Sequence, residues 1–305
     1  MEKLIKQYIM KKINSMLFFI FCTSLLFAQN NNNLQLGKKK IKVFILSGQS
    51  NMVGWGEDSK LPNNLSDGDE HKLMFENGKW QKLKPFKPAN KGQKRYGLTG
   101  NTFGPEISLA EEISKSYPNE TIGIIKSSFG GTGILAWSPN WTKEQADRTN
   151  DGRKGDFYKV LIEKVKAAQK EAAIEIVGFL WQQGGKDMTK VSLGKEYFDN
   201  LKFLIKGLRN DLNIPNLPMF IGCSVSKETL NNIDNAQLEK IKKSRPGVEY
   251  VIRARFEAEE KIPNVKVVVT PNLEKHPKNV HYNTNGQLKL GEYYANAFLK
   301  FIDKK

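Results

Sequence analysis

The stretch Ile41-Lys-Val-Phe-Ile-Leu-Ser-Gly-Gln-Ser-Asn-Met52 decides the fold of this chain. Its apolar run, Val43 to Leu46, is typical of a buried parallel strand, because such strands are covered on both faces. The run ends in small polar residues that suit a tight turn. Open α/β sheets place their binding sites at this end of a strand, so a serine here is a candidate nucleophile. An ordinary strand-to-helix loop is the structural alternative.

The first 28 residues have the pattern of a cleavable signal peptide. Lys11 and Lys12 precede an apolar run over residues 16–28, which ends in a small residue, Ala28. This run is too short to span a bilayer comfortably. We therefore expect a secreted or periplasmic protein without stable membrane insertion. A disordered polar linker at residues 29–40 and a single domain at residues 41–303 should follow.

Composition indicates which kinds of partner this domain binds. Cleavage would leave Cys223 as the sole cysteine, and a chain of this length can bury a full core without a disulfide. The formal charge of +16 favours anionic partners. The lysines are scattered and no nucleic-acid motif is present, so a lysine-rich composition with solvated charge is the alternative explanation.

Beyond the first strand, short apolar segments alternate with amphipathic ones. Five strands separated by helices predict an α/β three-layer sandwich with a central parallel sheet of about five strands. Residues 55–101 have little periodicity and predict long loops, with a hairpin around residues 72–83 that turns at Gly78. The later strands are predicted at residues 122–125, 176–181, 219–223 and 265–269, and the helices at 103–117, 157–172, 197–211, 246–261 and 286–302.

Three later segments, taken together with the first stretch, indicate which chemistry the chain performs. They are Ser127-Ser-Phe-Gly-Gly-Thr-Gly-Ile-Leu-Ala-Trp137, Trp181-Gln-Gln-Gly-Gly-Lys-Asp187 and Val280-His-Tyr-Asn-Thr-Asn-Gly-Gln-Leu-Lys-Leu-Gly291. With Gly48-Gln-Ser-Asn-Met52 they resemble, in order, the four sequence blocks of the SGNH hydrolases, which have a flavodoxin-like sheet. More narrowly, they resemble the sialate O-acetylesterase and acetylxylan esterase branch, carbohydrate esterase family 6. The resemblance covers residues 40–303.

The resemblance implies an exported serine esterase that removes acetyl or another small acyl group from a carbohydrate. It assigns Ser50 as nucleophile and His281 as base, with Ser47 as the rival serine within the turn. The oxyanion hole would combine the backbone N–H groups of Ser50 and Gly131 with the side-chain amide of Gln183. Two support residues are expected, Asn51 and Asp187, and Gly130 is an alternative to Gly131. No metal or cofactor is expected, because paired ligands and phosphate-binding glycine motifs are absent from the sequence.

The chain departs from the family pattern where a carboxylate should orient the base. Lys278 stands where the aspartate of D-x-x-H is expected, and Gly185 replaces the glutamate of W-x-Q-G-E. A serine–histidine pair without its acid loses orders of magnitude in rate. Asp187 or Glu274 could supply the acid. The alternative function is an impaired family member that binds a glycan, and the basic and neutral replacements favour an anionic one, such as a sulfated or uronic-acid-containing glycan.

Overall fold

The computed structural model describes residues 40–85, 87–232 and 235–304, without the side chains of residues 232 and 235–238. These residues belong to one unit, Lys38–Lys305. The predicted signal peptide and almost all of the predicted linker lie outside the described residues. No helix in the described part of the chain is long and apolar enough to cross a membrane.

The strands of the central sheet place the functional loops. The order is β10-β9-β8-β1-β7-β3-β4, and every neighbouring pair is parallel except the antiparallel pair β3 and β4. Because β1 lies between β7 and β8, the carboxyl ends of these three strands meet at one point. The described part of the chain has ten strands, which are β1 (Ile41–Gly48), β2 (Gly56–Glu57), β3 (Lys72–Glu76), β4 (Lys79–Lys82), β5 (Lys87–Pro88), β6 (Asn101–Phe103), β7 (Ile122–Ser128), β8 (Ile174–Gln182), β9 (Met219–Cys223) and β10 (Val265–Val269).

The five predicted parallel strands are confirmed, and a hairpin enlarges the sheet to seven strands. The hairpin turns at Asn77 and Gly78, whose φ angles of 52° and 77° are those of a two-residue turn with left-handed residues. Its first strand, β3, pairs with β7. The sequence predicts the hairpin but gives no signal for its partner. A small second sheet, β2-β6-β5, forms within the region predicted as loops.

Helices connect the strands and cover the sheet. The five predicted helices are present with shifts of a few residues at their ends, and Asn283 caps the last one by accepting a hydrogen bond from the Gly286 N–H. Within the described residues, seven shorter α-helices accompany them. The twelve are α1 (Ser50–Val53), α2 (Asn63–Ser66), α3 (Lys91–Lys94), α4 (Glu106–Ser116), α5 (Lys143–Asp147), α6 (Phe157–Glu171), α7 (Val191–Lys195), α8 (Tyr197–Asp211), α9 (Lys227–Asn232), α10 (Asn235–Ser244), α11 (Val248–Lys261) and α12 (Thr284–Ile302).

The core holds the central strand on both of its faces. Phe44 and Leu46 pack in a cluster with Ile107 of α4 and Tyr294 of α12. The side chains on the other face of β1, such as Val43, are also fully buried. Each buried large apolar side chain contributes about 1.5–3 kcal/mol. The strand that carries the turn of residues 47–51 is therefore held rigidly.

Candidate active site

Ser50 lies at the carboxyl edge of the central strand. It is the first residue of α1, a single helical turn that begins where β1 ends. Its side chain is half-buried and lines a cavity of about 400 Å³. The rival serine, Ser47, lies within the sheet and is 0% exposed. The structure therefore presents Ser50, and not Ser47, to a ligand.

Gly48 makes the turn before Ser50 possible. Its φ angle is 138°, and a Cβ atom at this position would lie 2.3 Å from the carbonyl oxygen of Gln182 on β8. The next residue, Gln49, donates its backbone N–H to the same carbonyl at 2.9 Å. Only glycine allows this approach of the two strands, so the glycine of the G-Q-S motif is required by geometry.

His281 lies on a late loop and lines the same cavity as Ser50. Its ring stacks on the indole of Trp55, with 3.8 Å between centroids and 4° between planes. Burial lowers the pKa of the ring to about 4, with a smaller contribution from the charge of His276. The imidazole is therefore neutral at neutral pH, as a general base must be.

Asn279 fixes the tautomer of His281. Its Oδ1 atom lies 2.7 Å from Nδ1 of the ring. The same oxygen accepts the backbone N–H groups of Val280 at 2.7 Å and of His281 at 3.2 Å, which identifies it as the oxygen of the amide. Nδ1 must then carry the proton and donate it. The lone pair is left on Nε2, as in a serine hydrolase triad.

Asn279 contacts Nδ1 of His281, whereas the positions considered for the orienting acid from the sequence have other contacts. Lys278 has a φ angle of 54° in the turn before His281, and the neighbouring Asn279 contacts the ring instead. Glu274 accepts hydrogen bonds from Asn283 and Asn285. Asp187 is bonded elsewhere, as described below. A neutral amide, two residues before the histidine, occupies the place of the acid.

Asn51 joins the serine turn to the histidine loop. Its Oδ1 atom accepts the backbone N–H of Tyr282 at 3.1 Å, and its Nδ2 atom lies 3.5 Å from the carbonyl oxygen of Val280. These two contacts hold the backbone on both sides of His281. The geometry fits the support role predicted for Asn51.

Gln183 does not line the cavity of Ser50 and His281 but lines a neighbouring cavity that Ser50 also lines, and its side-chain amide is bonded within the protein. Its Nε2 atom donates to the carbonyl oxygen of Thr132 at 2.8 Å and to Asp187 at 2.6 Å, which uses both amide hydrogens. Its Oε1 atom accepts from the hydroxyl of Tyr197 at 2.9 Å. The side chain is 2% exposed. Gln183 therefore holds the loop after β7 in place.

Asp187 completes this buried network. The carboxylate is 0% exposed and accepts the backbone N–H of Ile134 at 3.0 Å as well as the amide of Gln183. Burial raises its pKa to about 6, although these hydrogen bonds act in the opposite direction. Asp187 thus ties the segment after β8 to the loop after β7. This is a structural role.

The loop after β7 brings backbone N–H groups to the cavity. Gly130 and Gly131 both line it, and a Cβ built on Gly130 would lie 3.9 Å from Cβ of Ser50. Gly131 has a φ angle of 66° and open space around it. Among the described residues, the N–H groups of Ser50 and Gly131 have no hydrogen-bond acceptor. Both are free to donate to a ligand.

The part of the chain that the structure describes has no group of His, Cys, Asp and Glu side chains that could hold a metal ion. A second cavity of about 580 Å³ adjoins the first and shares Gln49, Ser50, Gly185 and Arg245 with it. Ser50 thus lies between two open spaces.

A parallel α/β sheet with a Gly-Gln-Ser turn after its central strand is the architecture of the SGNH-type carbohydrate esterases. Residues 40–300 match the sequence model of a family described as carbohydrate esterase, sialic acid-specific acetylesterase, and the chain belongs to this family.

Individual proteins show the same similarity. A probable carbohydrate esterase from Arabidopsis thaliana is 25% identical over 272 residues, which are 85% of this chain and 90% of that protein. The crystal structure of an Arabidopsis thaliana protein aligns with a TM-score of 0.64 at 22% identity, over 86% of this chain and 99% of the other. NanS aligns with a TM-score of 0.62 at 14% identity, over 87% and 98%. At these identities the structural likeness concerns the fold.

Proposed function

We propose that this protein is a serine esterase that removes acetyl groups from a carbohydrate. One observation carries the proposal. Ser50 and His281 line a single cavity, and Asn279 holds His281 in the tautomer that leaves Nε2 free to accept a proton. Family membership supports acetyl as the acyl group and sugar as the alcohol.

The reaction would proceed through an acetyl-enzyme. Oγ of Ser50 attacks the carbonyl carbon of the ester and passes its proton to Nε2 of His281. The oxyanion accepts hydrogen bonds from the N–H groups of Ser50 and Gly131. The bond to the sugar oxygen then breaks, and His281 returns the proton to that oxygen. Water hydrolyses the acetyl-Ser50 by the same two proton transfers.

Two neutral groups take the place of the orienting acid in this mechanism. Asn279 orients the ring but adds no negative charge, so it stabilises the imidazolium less than a carboxylate does. The π face of Trp55 lies flat against the ring and attracts a cation, which contributes about 0.5–1 kcal/mol at a partly exposed site. The proposed enzyme should be active but slower than one with a complete triad.

The main test compares three variants on an aryl acetate and on acetylated sugars. Ser50→Ala and His281→Ala should each reduce kcat by about a thousandfold or more. Ser47→Ala is the matched control, because the Ser47 hydroxyl is buried without a hydrogen-bond partner and its loss breaks no hydrogen bond. Wild-type activity that survives Ser50→Ala would refute the proposal.

A glycan-binding protein with impaired catalysis is the second candidate. It is favoured by the absence of a carboxylate on His281 and of a Ser50–His281 hydrogen bond among the residues that the structure describes. This function predicts no hydrolysis of any acetate by the wild type, together with measurable binding of the acetylated sugar in calorimetry.

We also propose that the protein is exported to the periplasm or the medium. The support is the sequence pattern of residues 1–28, with Lys11 and Lys12 before an apolar run. The mature chain should begin near Gln29. N-terminal sequencing of protein from the cell envelope or medium tests this proposal, and a product that retains residues 1–28 contradicts it.

A further inference from the structure

The helical turn that carries Ser50 is too short to hold its own shape. It has four residues, and Gln49, which precedes it, provides no side-chain cap. The N–H of Gly54 closes the turn by donating to the carbonyl oxygen of Ser50 at 3.0 Å. A single helical turn is not stable without tertiary contacts, because its nucleation is costly. The direction of the Ser50 N–H therefore depends on what holds the other end of the turn.

Two buried side chains hold the carbonyl oxygens at that other end. Nζ of Lys126 donates to the carbonyl oxygen of Val53 at 2.8 Å, and Nε2 of Gln93 donates to that of Gly54 at 2.7 Å. Lys126 lies on β7 and Gln93 on α3, and both residues are buried. Two separate elements of the fold therefore fix the end of the serine turn.

Glu106, the first residue of α4, holds Lys126 in place. Its Oε2 atom accepts from Nζ of Lys126 at 2.7 Å, and its Oε1 atom accepts the backbone N–H of Gly104 at 2.9 Å. Both side chains of this ion pair are 6% exposed. Burying two charges is costly, and apolar residues of similar size are often at least as stabilising. The backbone that the pair holds explains its presence better than stability does.

The ion pair and the serine turn are in close contact through Gly104. A Cβ built on Gly104 would lie 2.9 Å from Nζ of Lys126 and 2.9 Å from the carbonyl oxygen of Met52. Only a glycine leaves enough room here for the ammonium group and the turn together. Because protein interiors are close-packed, a change at Lys126 is transmitted to the backbone of the turn.

We propose that Lys126, held by Glu106, is a positioning residue for the nucleophile: it fixes the end of the serine turn and thereby directs the N–H of Ser50 at the oxyanion. This inference rests on the proposed esterase function and adds a residue that acts through the backbone. Lys126 lines neither of the two cavities beside Ser50. Donors that are fixed before the reaction stabilise the charge that develops in the transition state, so their placement affects the rate.

The experiment measures hydrolysis of an aryl acetate by the full protein and by Lys126→Met, with rates corrected for the folded fraction from urea titrations. Lys126→Met should lower kcat about ten- to a hundredfold and leave KM within about twofold, because a displaced oxyanion donor weakens binding of the transition state alone. Lys164→Met is the matched control. Lys164 also donates to a carboxylate, that of Glu76, and to a backbone carbonyl, that of Lys126, but neither bond reaches the serine turn. Its loss should reduce stability and leave kcat unchanged.

A double variant separates positioning from stability. Lys126→Met alone leaves the buried carboxylate of Glu106 without its cation, which is strongly destabilising. Adding Glu106→Gln removes that charge and keeps an acceptor for the Gly104 N–H, so the midpoint of urea unfolding should recover. The rate should stay low, because the carbonyl oxygen of Val53 still lacks the Lys126 donor. A kcat that recovers together with stability would overturn the inference.

Hydrogen exchange tests the same inference without any turnover. The N–H groups of Met52 and Val53 donate to the carbonyl oxygen of Gln49, and that of Gly54 donates to Ser50. These three amides should exchange about tenfold faster in both Lys126 variants, because the turn opens more often, and at the wild-type rate in Lys164→Met.

The outcomes distinguish the positioning role from the esterase function. If hydrolysis depends on Ser50 but Lys126→Met keeps the wild-type kcat, the positioning role fails and the esterase function stands. If the wild type hydrolyses no acetate, the esterase function fails. In that case, faster exchange at the serine turn in Lys126→Met still supports the role of Lys126 in holding the turn, and unchanged exchange refutes it.

Discussion

Replacing Asn279 by aspartate should convert the His281 relay from a neutral one into a charged one. The two side chains have the same shape, and Oδ1 can keep its three hydrogen-bond donors. The Nδ2 atom of Asn279 is buried without a partner among the described residues, so its replacement by oxygen breaks no hydrogen bond. Asn279→Asp therefore changes little except the charge next to the ring.

The size of the effect follows from Coulomb's law. A carboxylate and an imidazolium whose charges lie about 4 Å apart attract each other by about 4 kcal/mol at an effective dielectric constant of 20. His281 is half-exposed and the carboxylate must itself be desolvated, so we expect about 1–2 kcal/mol. This corresponds to a rise of about one unit in the pKa of His281 and to an increase of about tenfold in kcat.

The assay is kcat/KM on an aryl acetate as a function of pH. The wild type needs a neutral His281, whose pKa is lowered to about 4, so its activity should persist in mildly acidic solution and fall as the pH drops through that value. In Asn279→Asp the raised pKa moves this loss to higher pH, while the plateau rate increases. Lys278→Asp is the control, because it adds a carboxylate one residue away from the position that contacts the ring.

Two results would refute this reasoning. An Asn279→Asp variant that folds normally and keeps the wild-type rate and acid limb would show that Asn279 does not act on His281. A larger gain in Lys278→Asp than in Asn279→Asp would mean that residue 278 holds the orienting position, as the D-x-x-H spacing suggests.

Three further outcomes test the supporting structure. Gly48→Ala should lower the free energy of unfolding by at least about 2 kcal/mol in urea titrations, because its Cβ would meet the Gln182 carbonyl; Gly97→Ala, also at positive φ but in open space, should lose less. Asp187→Asn should cost about 1–3 kcal/mol by the same measurement, because an amide N–H would face the buried donor of Gln183. Trp55→Leu should lower kcat about two- to fivefold through the lost stacking, and Trp55→Phe should lower it less.

The sequence predicts the frame of this site because its signals are local. The apolar run of β1 followed by small residues sets both the strand and the turn at Ser50, and the apolar spacing of α12 sets the last helix. The hairpin at Gly78 follows from its turn residues. Its place beside β7 depends on pairing between distant segments, which periodicity does not encode.

The finer roles could not be predicted because they depend on which way a side chain turns. Asn279 lies in the Lys-Asn-Val-His sequence and has an acceptor oxygen, yet the D-x-x-H spacing predicted the orienting residue at position 278. In the structure the backbone at Lys278 is left-handed, and Asn279 is the residue that contacts the ring. Gln183 likewise matches a donor position, but a carbonyl 51 residues away takes one of its two hydrogens.

The contacts of Asn51 have a consequence for how the chain would acquire the proposed activity. Its hydrogen bond to Tyr282 joins segments 231 positions apart, and the histidine loop leads directly into the last helix. During synthesis the serine turn emerges long before the base, so a nascent chain that ends between them contains a serine with no partner. In refolding, recovery of hydrolysis should therefore lag behind recovery of helical signal and coincide with docking of α12. The recovery of hydrolysis would therefore report when the last helix docks during folding.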